Sequence, residues 1–529
     1  MPKFLALLLI GPLAAVPAQR APQVNPSQPV PTFRTGTKLV EVVVVAKDKH
    51  GPAIGLTKND FTLFDNGRPQ DIAFFSVRSV RDLASAPRTA SIPALSPGVV
   101  SNRQGPNQEV PATQTVLLLD QVFTEQADQI FAIQRIGRFL DLRRKQDGVG
   151  IYTFGGGMRV VQVVTSDEDR LRRTAKTLKA RDARNRSNDT AGMTPKEAAA
   201  YTALNLEERV RALTQAFEAI ARHLADVPGR KNLVWITEGF PLYICNDLIC
   251  VDFRPEMNEA ARVLNGANVA VHAADARGLI GTLSGMSPIS NAEKGPQPLG
   301  QFTGMMRNWA NVPAGPSHVE TLNLLAGLTG GEAYYNTNGI EESFQKAVQY
   351  EDVTYLLGFY PSGEAQDGLA HTLSVKVARP GVTLRYRSNY VALKPGFDAE
   401  NRPQLDQLLK DPLDSTQIGL LAEATPDRAK PGVYNVHLAL DLHDIQLYPA
   451  DAKWVGEVEI SFYLENAKSA QVTTREIEIP ENQLAFALDR GLSLDRQIEL
   501  QGKSSWVRVA VVDKTTGAAG SLRVPLGEK

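Results

Sequence analysis

Between residues 114 and 351 the chain alternates unbroken apolar runs with segments of helical apolar spacing. The clearest run is TVLLLDQVFT, where Val116 to Leu119 lead straight into Asp120 and the segment closes on Thr124. A continuous apolar run of this length reads as a strand buried on both faces, as in parallel sheets. Ile130, Ile133, Ile136 and Leu140 then recur at near-helical spacing and predict a helix over 125–142. Strands are expected at 150–154 and 159–164, with Gly155-Gly156-Gly157 as the hairpin turn between them. A helix follows at 167–178, with Thr165 or Ser166 as its cap. Residues 180–203 read as a polar, mixed-charge insert over the sheet edge. A helix at 207–226 ends at Pro228-Gly229, and NLVWIT at 232–237 is a buried strand. Further on come a helix at 256–264, a strand at 269–273, a Gly/Pro/Asn/Met-rich loop at 280–315, a helix at 318–328, a strand at 333–335 and a helix at 340–350. Such alternation implies parallel pairing with right-handed crossovers. The expected fold is α/β, a doubly wound, mostly parallel sheet over 114–351. Asp120 then lies at the carboxyl edge, where open sheets bind ligands.

The flanks lack helical periodicity. LVEVVVVA and the hairpin signal Asn66-Gly67 make 37–78 a small β module. Residues 79–113, rich in Ser and Pro, read as a linker. Three strands at 352–392 are expected to complete the 37–78 module, because neither segment alone can bury a core. Residues 393–415 carry a connecting helix, and 416–529 reads as a C-terminal β-sandwich domain.

A length of 529 residues suits about three or four domains. The net charge of −1 supplies no basic field, which argues against nucleic acid as a partner. MPKFLALLLIGPLAAVPAQR has a short positive start, an apolar stretch broken by Pro12 and small residues for cleavage. We expect residues 1–18 to be a signal peptide and 19–36 a flexible mature N-terminus, giving a secreted or periplasmic protein with no transmembrane segment after signal removal. The two cysteines, Cys245 and Cys250 in CNDLIC, suggest a local disulfide in an exported protein, with two free thiols or a metal pair as alternatives.

An apolar strand ending in Asp120, a helix a few residues later, and NLVWIT followed by Glu238-Gly239 resemble the von Willebrand factor type A (VWA) domain. The segments LVEVVVVAKDKHGPAIGLTKNDFTLFDNGRPQDIAFF, YLLGFYP and GVTLRYRSNY resemble the flanks of exported VWFA-related proteins of acidobacterial type. The resemblance covers roughly 37–392 and implies a metal-ion-dependent adhesion site at the carboxyl edge. That site takes an Asp-x-Ser-x-Ser run, a Thr from a second loop and an Asp from a third. Here Asp120 and Thr124 match the first run, Val122 replaces a hydroxyl, and Glu238 stands for the third-loop Asp. Thr190, Thr194 and Thr202 are the candidates for the second loop. Mg²⁺ wants six oxygens in near-octahedral geometry, so the apolar Val122 and the longer Glu238 weaken the site, and binding of Mg²⁺ or another divalent cation is left open. The other reading makes Asp120 and Thr124 caps of the following helix.

Among other chemistry, HExxH, Gly-x-Ser-x-Gly, Walker and CxxC motifs do not occur. His272 and Asp275 end one buried strand and either pair near the sheet edge or are satisfied in the interior. Asp441-Leu442-His443-Asp444 either chelates a cation or is a solvated turn. The expected function is that of a secreted, non-enzymatic protein with a VWA-like domain that binds a protein ligand through a degenerate adhesion site. An exported metal-dependent or hydrolytic enzyme and a structural envelope component are the alternatives.

Overall fold

The structure is a computed structural model that describes residues 39–79, 98–103, 113–181, 192–227, 229–245, 250–278, 317–350, 353–361, 370–391, 405–465, 470–500 and 504–526. The signal peptide over 1–18, the N-terminus over 19–36, Thr190, the loop at 280–315 and most of the linker lie outside them.

The apolar runs become the middle of a six-stranded sheet. Its order is Ala333–Tyr334, Val269–Asp275, Lys231–Thr237, Gln114–Asp120, Gly148–Phe154 and Met158–Thr165. The first five strands are parallel. The last is antiparallel to its neighbour and bulged against it, so the sheet is mixed. The cause is the Gly155–Gly157 turn, which is far too short for a parallel crossover; Gly156 adopts φ +87° there.

Every residue of the Gln114–Asp120, Gly148–Phe154, Lys231–Thr237 and Val269–Asp275 strands is buried. Alternate side chains go to opposite faces. Val116 and Leu118 join Val210, Phe217, Met257 and Leu325 from helices on one face. Leu117 and Leu119 join Ile136, Phe139, Leu171 and Phe344 from helices on the other. Helices thus cover both faces, and the strands between them have no polar side to show.

Two helix starts differ from the sequence expectation. The helix predicted from 207 runs from Pro195 to His223. Its start is a capping box, in which Thr194 Oγ1 accepts from Glu197 N at 3.4 Å and Glu197 Oε2 accepts from Thr194 N at 2.8 Å. The first turns carry no apolar stripe, so periodicity misses them. The Glu168–Thr177 helix is capped by Asp167, whose Oδ1 accepts from Arg170 N at 2.9 Å, rather than by Thr165 or Ser166.

On the N-terminal side, Val40–Asp48 pairs antiparallel with Val353–Phe359, and Phe61–Asp65 with Ala370–Val377. The two sheets share one core that includes Val42, Val44, Leu63, Tyr355, Leu357 and Leu373. Near the C-terminus two more antiparallel sheets enclose Val436, Leu438, Ile460, Phe462, Val509 and Leu522. The linker is not wholly a linker: Val100–Ser101 is an edge strand on Leu421–Ala422 of that C-terminal unit. Two residues are too few for a pattern to announce. Of the connecting segment, Leu405–Lys410 is helical and lays Leu408 and Leu409 on Ala510 and Val512. Among the described residues, no helix is long and apolar enough to cross a membrane.

Candidate functional site

The parallel register brings three strand ends to one edge, where Ile236 lies beside Leu119 and Thr237 beside Asp275. Asp120, the last residue of its strand, is fully buried there. Its Oδ1 accepts from the backbone N–H groups of Val122 at 3.0 Å and Phe123 at 3.1 Å, which folds the loop back on the strand. Its Oδ2 accepts from Thr237 Oγ1 at 3.0 Å and Trp235 Nε1 at 3.3 Å. A carboxylate offers about four lone-pair sites, and four donors occupy them. Burial pushes the Asp120 carboxyl up to about 6, while the four hydrogen bonds pull against it.

The loop beyond Asp120 is built as core. Val122 and Phe123 lie against the helical face cluster, and Phe123 sits 4.9 Å from the Phe240 ring. The position where an adhesion site needs a hydroxyl is therefore an apolar packing position. Gln121 and Gln129 tie the loop to its neighbour: Gln121 Nε2 donates to Lys179 O at 2.8 Å, and Gln129 Nε2 donates to Thr124 O at 2.9 Å and Arg181 O at 3.0 Å. Thr124 is buried, and its hydroxyl has no hydrogen-bond partner among the described residues.

The capping reading of Asp120 and Thr124 does not hold. The following helix spans Gln126–Leu142, its N-cap is Glu125, and no side chain caps it. Asp120 is too far back in sequence and spends Oδ1 on the loop before the helix begins and Oδ2 on the neighbouring strand.

Glu238 faces the same loop. Its Oε1 accepts from Glu125 N at 2.5 Å, and its carboxyl shares a hydrogen bond with Asp128. Burial, and next the Asp128 charge, push Glu238 up to about 8. Burial also raises Asp128. Both effects favour a proton held between Glu238 and Asp128. Nearby, Arg277 forms a bidentate pair with Asp275 at 2.8 and 2.5 Å. Burial acts to lower Arg277, but Asp275, Glu238 and Asp128 outweigh it and raise its pKa. The edge therefore balances its acids with a shared proton and an arginine.

Among the described residues, no three His, Cys, Asp or Glu side chains are grouped to hold a metal ion. Asp120, Thr124 and Glu238 meet at one edge, yet Asp120 is saturated and Glu238 is turned to Glu125 and Asp128. Of the second-loop candidates, Thr194 spends its hydroxyl in the capping box, and Thr202 lies in the Pro195–His223 helix with its side chain outside the described residues. Among the described residues, Asp120 and Glu238 are not arranged to share a divalent cation.

Cys245 and Cys250 are backbone partners in a short antiparallel hairpin leaving this edge; their side chains lie outside the described residues. His272 and Asp275 do not pair. His272 Nε2 lies 3.3 Å from Asn232 Oδ1 and its ring stacks near Tyr334, while Asp275 belongs to Arg277. The Asp441–Asp444 turn does bind a cation, namely a guanidinium. Arg103 meets Asp441 at 3.0 Å, Asp444 at 2.7 Å and Asp226 at 3.1 Å.

Sequence reasoning missed Trp235, Thr237, Asp128 and Arg277. Thr237 and Trp235 belong to NLVWIT, and strand alternation places both on one side of the sheet, the side that reaches Asp120. Asp128 and Arg277 gave no signal, because neither sits in a motif.

No family model matches the chain, and no curated protein matches it. Solved structures resemble parts of it. An aerotolerance-related membrane protein from Bacteroides fragilis aligns with 45% of this chain and 98% of its own, at 16% identity and a TM-score of 0.27. The vWF domain of the type V pili tip protein Mfa5 from Porphyromonas gingivalis covers 45% of this chain and 95% of its own, at 9% identity and 0.26. A von Willebrand factor type A structure from Catenulispora acidiphila covers 78% of this chain and 65% of its own, at 9% identity and 0.25. Scores this low carry no chemistry across, and the site rests on the side chains above.

Proposed function

We propose that residues 114–351 form a VWA-like domain whose carboxyl edge binds another protein without a divalent cation. One observation carries this reading: the four lone-pair sites of Asp120 are filled by Val122, Phe123, Trp235 and Thr237, as a degenerate adhesion site would have them. An edge wired in this way has a fixed loop, and Asp120 keeps no open lone pair for a metal. Two exposed aromatics rise from the same edge, Tyr243 at 60% and Tyr335 at 45% exposure, each following the end of a parallel strand. Exposed tyrosines of this kind are enriched where proteins meet.

In this reading the chain is exported and non-enzymatic, as its N-terminal twenty residues and its lack of catalytic motifs suggest. The flanking strand segments support the finer likeness to exported VWFA-related proteins. The test immobilises the mature chain and compares capture from the exported fraction in EDTA and in Mg²⁺, beside a Tyr243→Ala/Tyr335→Ala variant. Capture that survives EDTA and is lost in the variant supports a cation-independent edge. Capture that needs Mg²⁺, or ignores the two tyrosines, overturns it.

A further inference from the structure

We propose that Cys245 and Cys250 are a modification site, joined in an intramolecular disulfide that staples the hairpin leaving the carboxyl edge. The proposal does not depend on that edge binding a protein.

The backbone places the two residues. Tyr243 lies opposite Asp252, Ile244 opposite Val251 and Cys245 opposite Cys250. One step inward, Phe253 N donates to Leu242 O at 2.7 Å. Leu242 and Phe253 continue the same register and are a hydrogen-bonded pair. Opposed residues alternate between hydrogen-bonded and non-hydrogen-bonded pairs along an antiparallel ladder. Ile244–Val251 is then hydrogen-bonded, and Cys245–Cys250 is not. Non-hydrogen-bonded partners have Cα atoms about 4.5 Å apart and the closer side chains. A disulfide spans Cα separations of roughly 4.4–6.8 Å and wants its Cβ atoms near. Had the register slipped by one residue, neither cysteine would face the other.

The hairpin has a use for a staple. Each of its strands is three residues long, and an isolated two-stranded pair is marginal in water. Its base is held, since Phe240, Leu242 and Phe253 are all buried in the helical-face core. The cysteine pair is the outermost rung among the described residues, so a bond there fixes the segment that carries exposed Tyr243.

Formation needs an oxidant, which is a donor disulfide supplied by thiol–disulfide exchange. One thiolate attacks the donor and releases one donor thiol. The second cysteine thiolate then displaces the other. Two protons and two electrons pass from the pair to the donor, and one S–S bond forms as one breaks.

The test equilibrates the full chain with oxidised glutathione, then denatures it and alkylates it with a maleimide before and after reduction. The proposal predicts no label before reduction and two after. It also predicts a proteolytic peptide joining Cys245 to Cys250, and slower amide exchange over 243–252 in the oxidised form with the Val269–Asp275 strand unchanged. Two labels before reduction, glutathione left attached to either cysteine, or a disulfide-linked dimer would overturn it.

Discussion

Thr237 Oγ1 donates to Asp120 Oδ2 at 3.0 Å, so the neighbouring strand closes the Asp120 site from within the sheet. The same hydroxyl accepts from Gly239 N at 2.9 Å, which sets the turn that carries Glu238. One threonine thereby couples the first and third loops of the edge directly.

Restoring the missing hydroxyl should therefore not restore a metal site. Val122→Ser supplies an oxygen, but Asp120 has no lone pair to add. The variant is expected to lose about 1 kcal/mol of stability, because Val122 is partly buried against the core. It should also show no heat of binding with Mg²⁺ or Mn²⁺. A saturable heat in Val122→Ser would mean that the Asp120 hydrogen bonds yield easily to a cation.

Asp120 also leaves a pH signature. Its folded value, about 6, lies above the ordinary 3.8. A raised acid contributes stability that is fully present below 3.8 and is lost as the pH climbs through about 6. The loss is on the order of 3 kcal/mol for a shift of roughly two units. Asp120→Asn should be less stable at every pH yet lack this slope. Denaturation midpoints taken from pH 4 to pH 7 will show it; parallel curves for the two proteins would refute the assignment.

Glu238 acts in a higher window. Its value is raised to about 8 by burial and by Asp128. Its contribution is present below its ordinary value and lost as pH rises through about 8. The melting temperature of the wild type should fall from pH 4.5 up to about 8 and level off above it, and Glu238→Gln should flatten that fall, since an amide still donates to Asp128. An equally steep fall in the variant would place the titrating group elsewhere.

The central strands were legible because they are buried on both faces and show as unbroken apolar runs. NLVWIT and TVLLLD are strands for that reason alone. The antiparallel edge strand was legible as a hairpin from Gly155-Gly156-Gly157, yet its effect on the sheet, a mixed one, needed the structure. Pro195 to Ala203 was read as part of the insert, because its small alanines make no periodic stripe of large apolar residues and the start announces itself only by Thr194 and Glu197. At the site, Asp120 and Glu238 were legible as residues. Their hydrogen bonds were not, since Thr237 reaches Asp120 and Glu125 N reaches Glu238 across more than a hundred residues of chain.

Arg103 shows the same limit and offers a separate test. It sits in what reads as a linker, but meets Asp226 at the end of a central helix and Asp441 and Asp444 in the C-terminal sheets. Removing it leaves three carboxylates facing one another. Arg103→Ala should cost about 1–3 kcal/mol, after discounting for partial exposure. It should also raise amide exchange in Leu420–Pro426, the strand that Val100–Ser101 pairs with. Arg103→Lys should recover little, because one ammonium cannot reach three carboxylates in a fork. Unchanged exchange in Arg103→Ala would show that the strand pairing holds without the ion pairs.

Calorimetric titration of Mg²⁺, Mn²⁺ and Ca²⁺ into the mature chain, beside Asp120→Ala, tests the cation-independent edge most directly. No saturable heat in either protein, with Asp120→Ala less stable because it loses two hydrogen bonds to its loop and two to the neighbouring strand, is the predicted result. Saturable binding of any of the three ions that vanishes in Asp120→Ala would contradict it and make Asp120 a metal ligand.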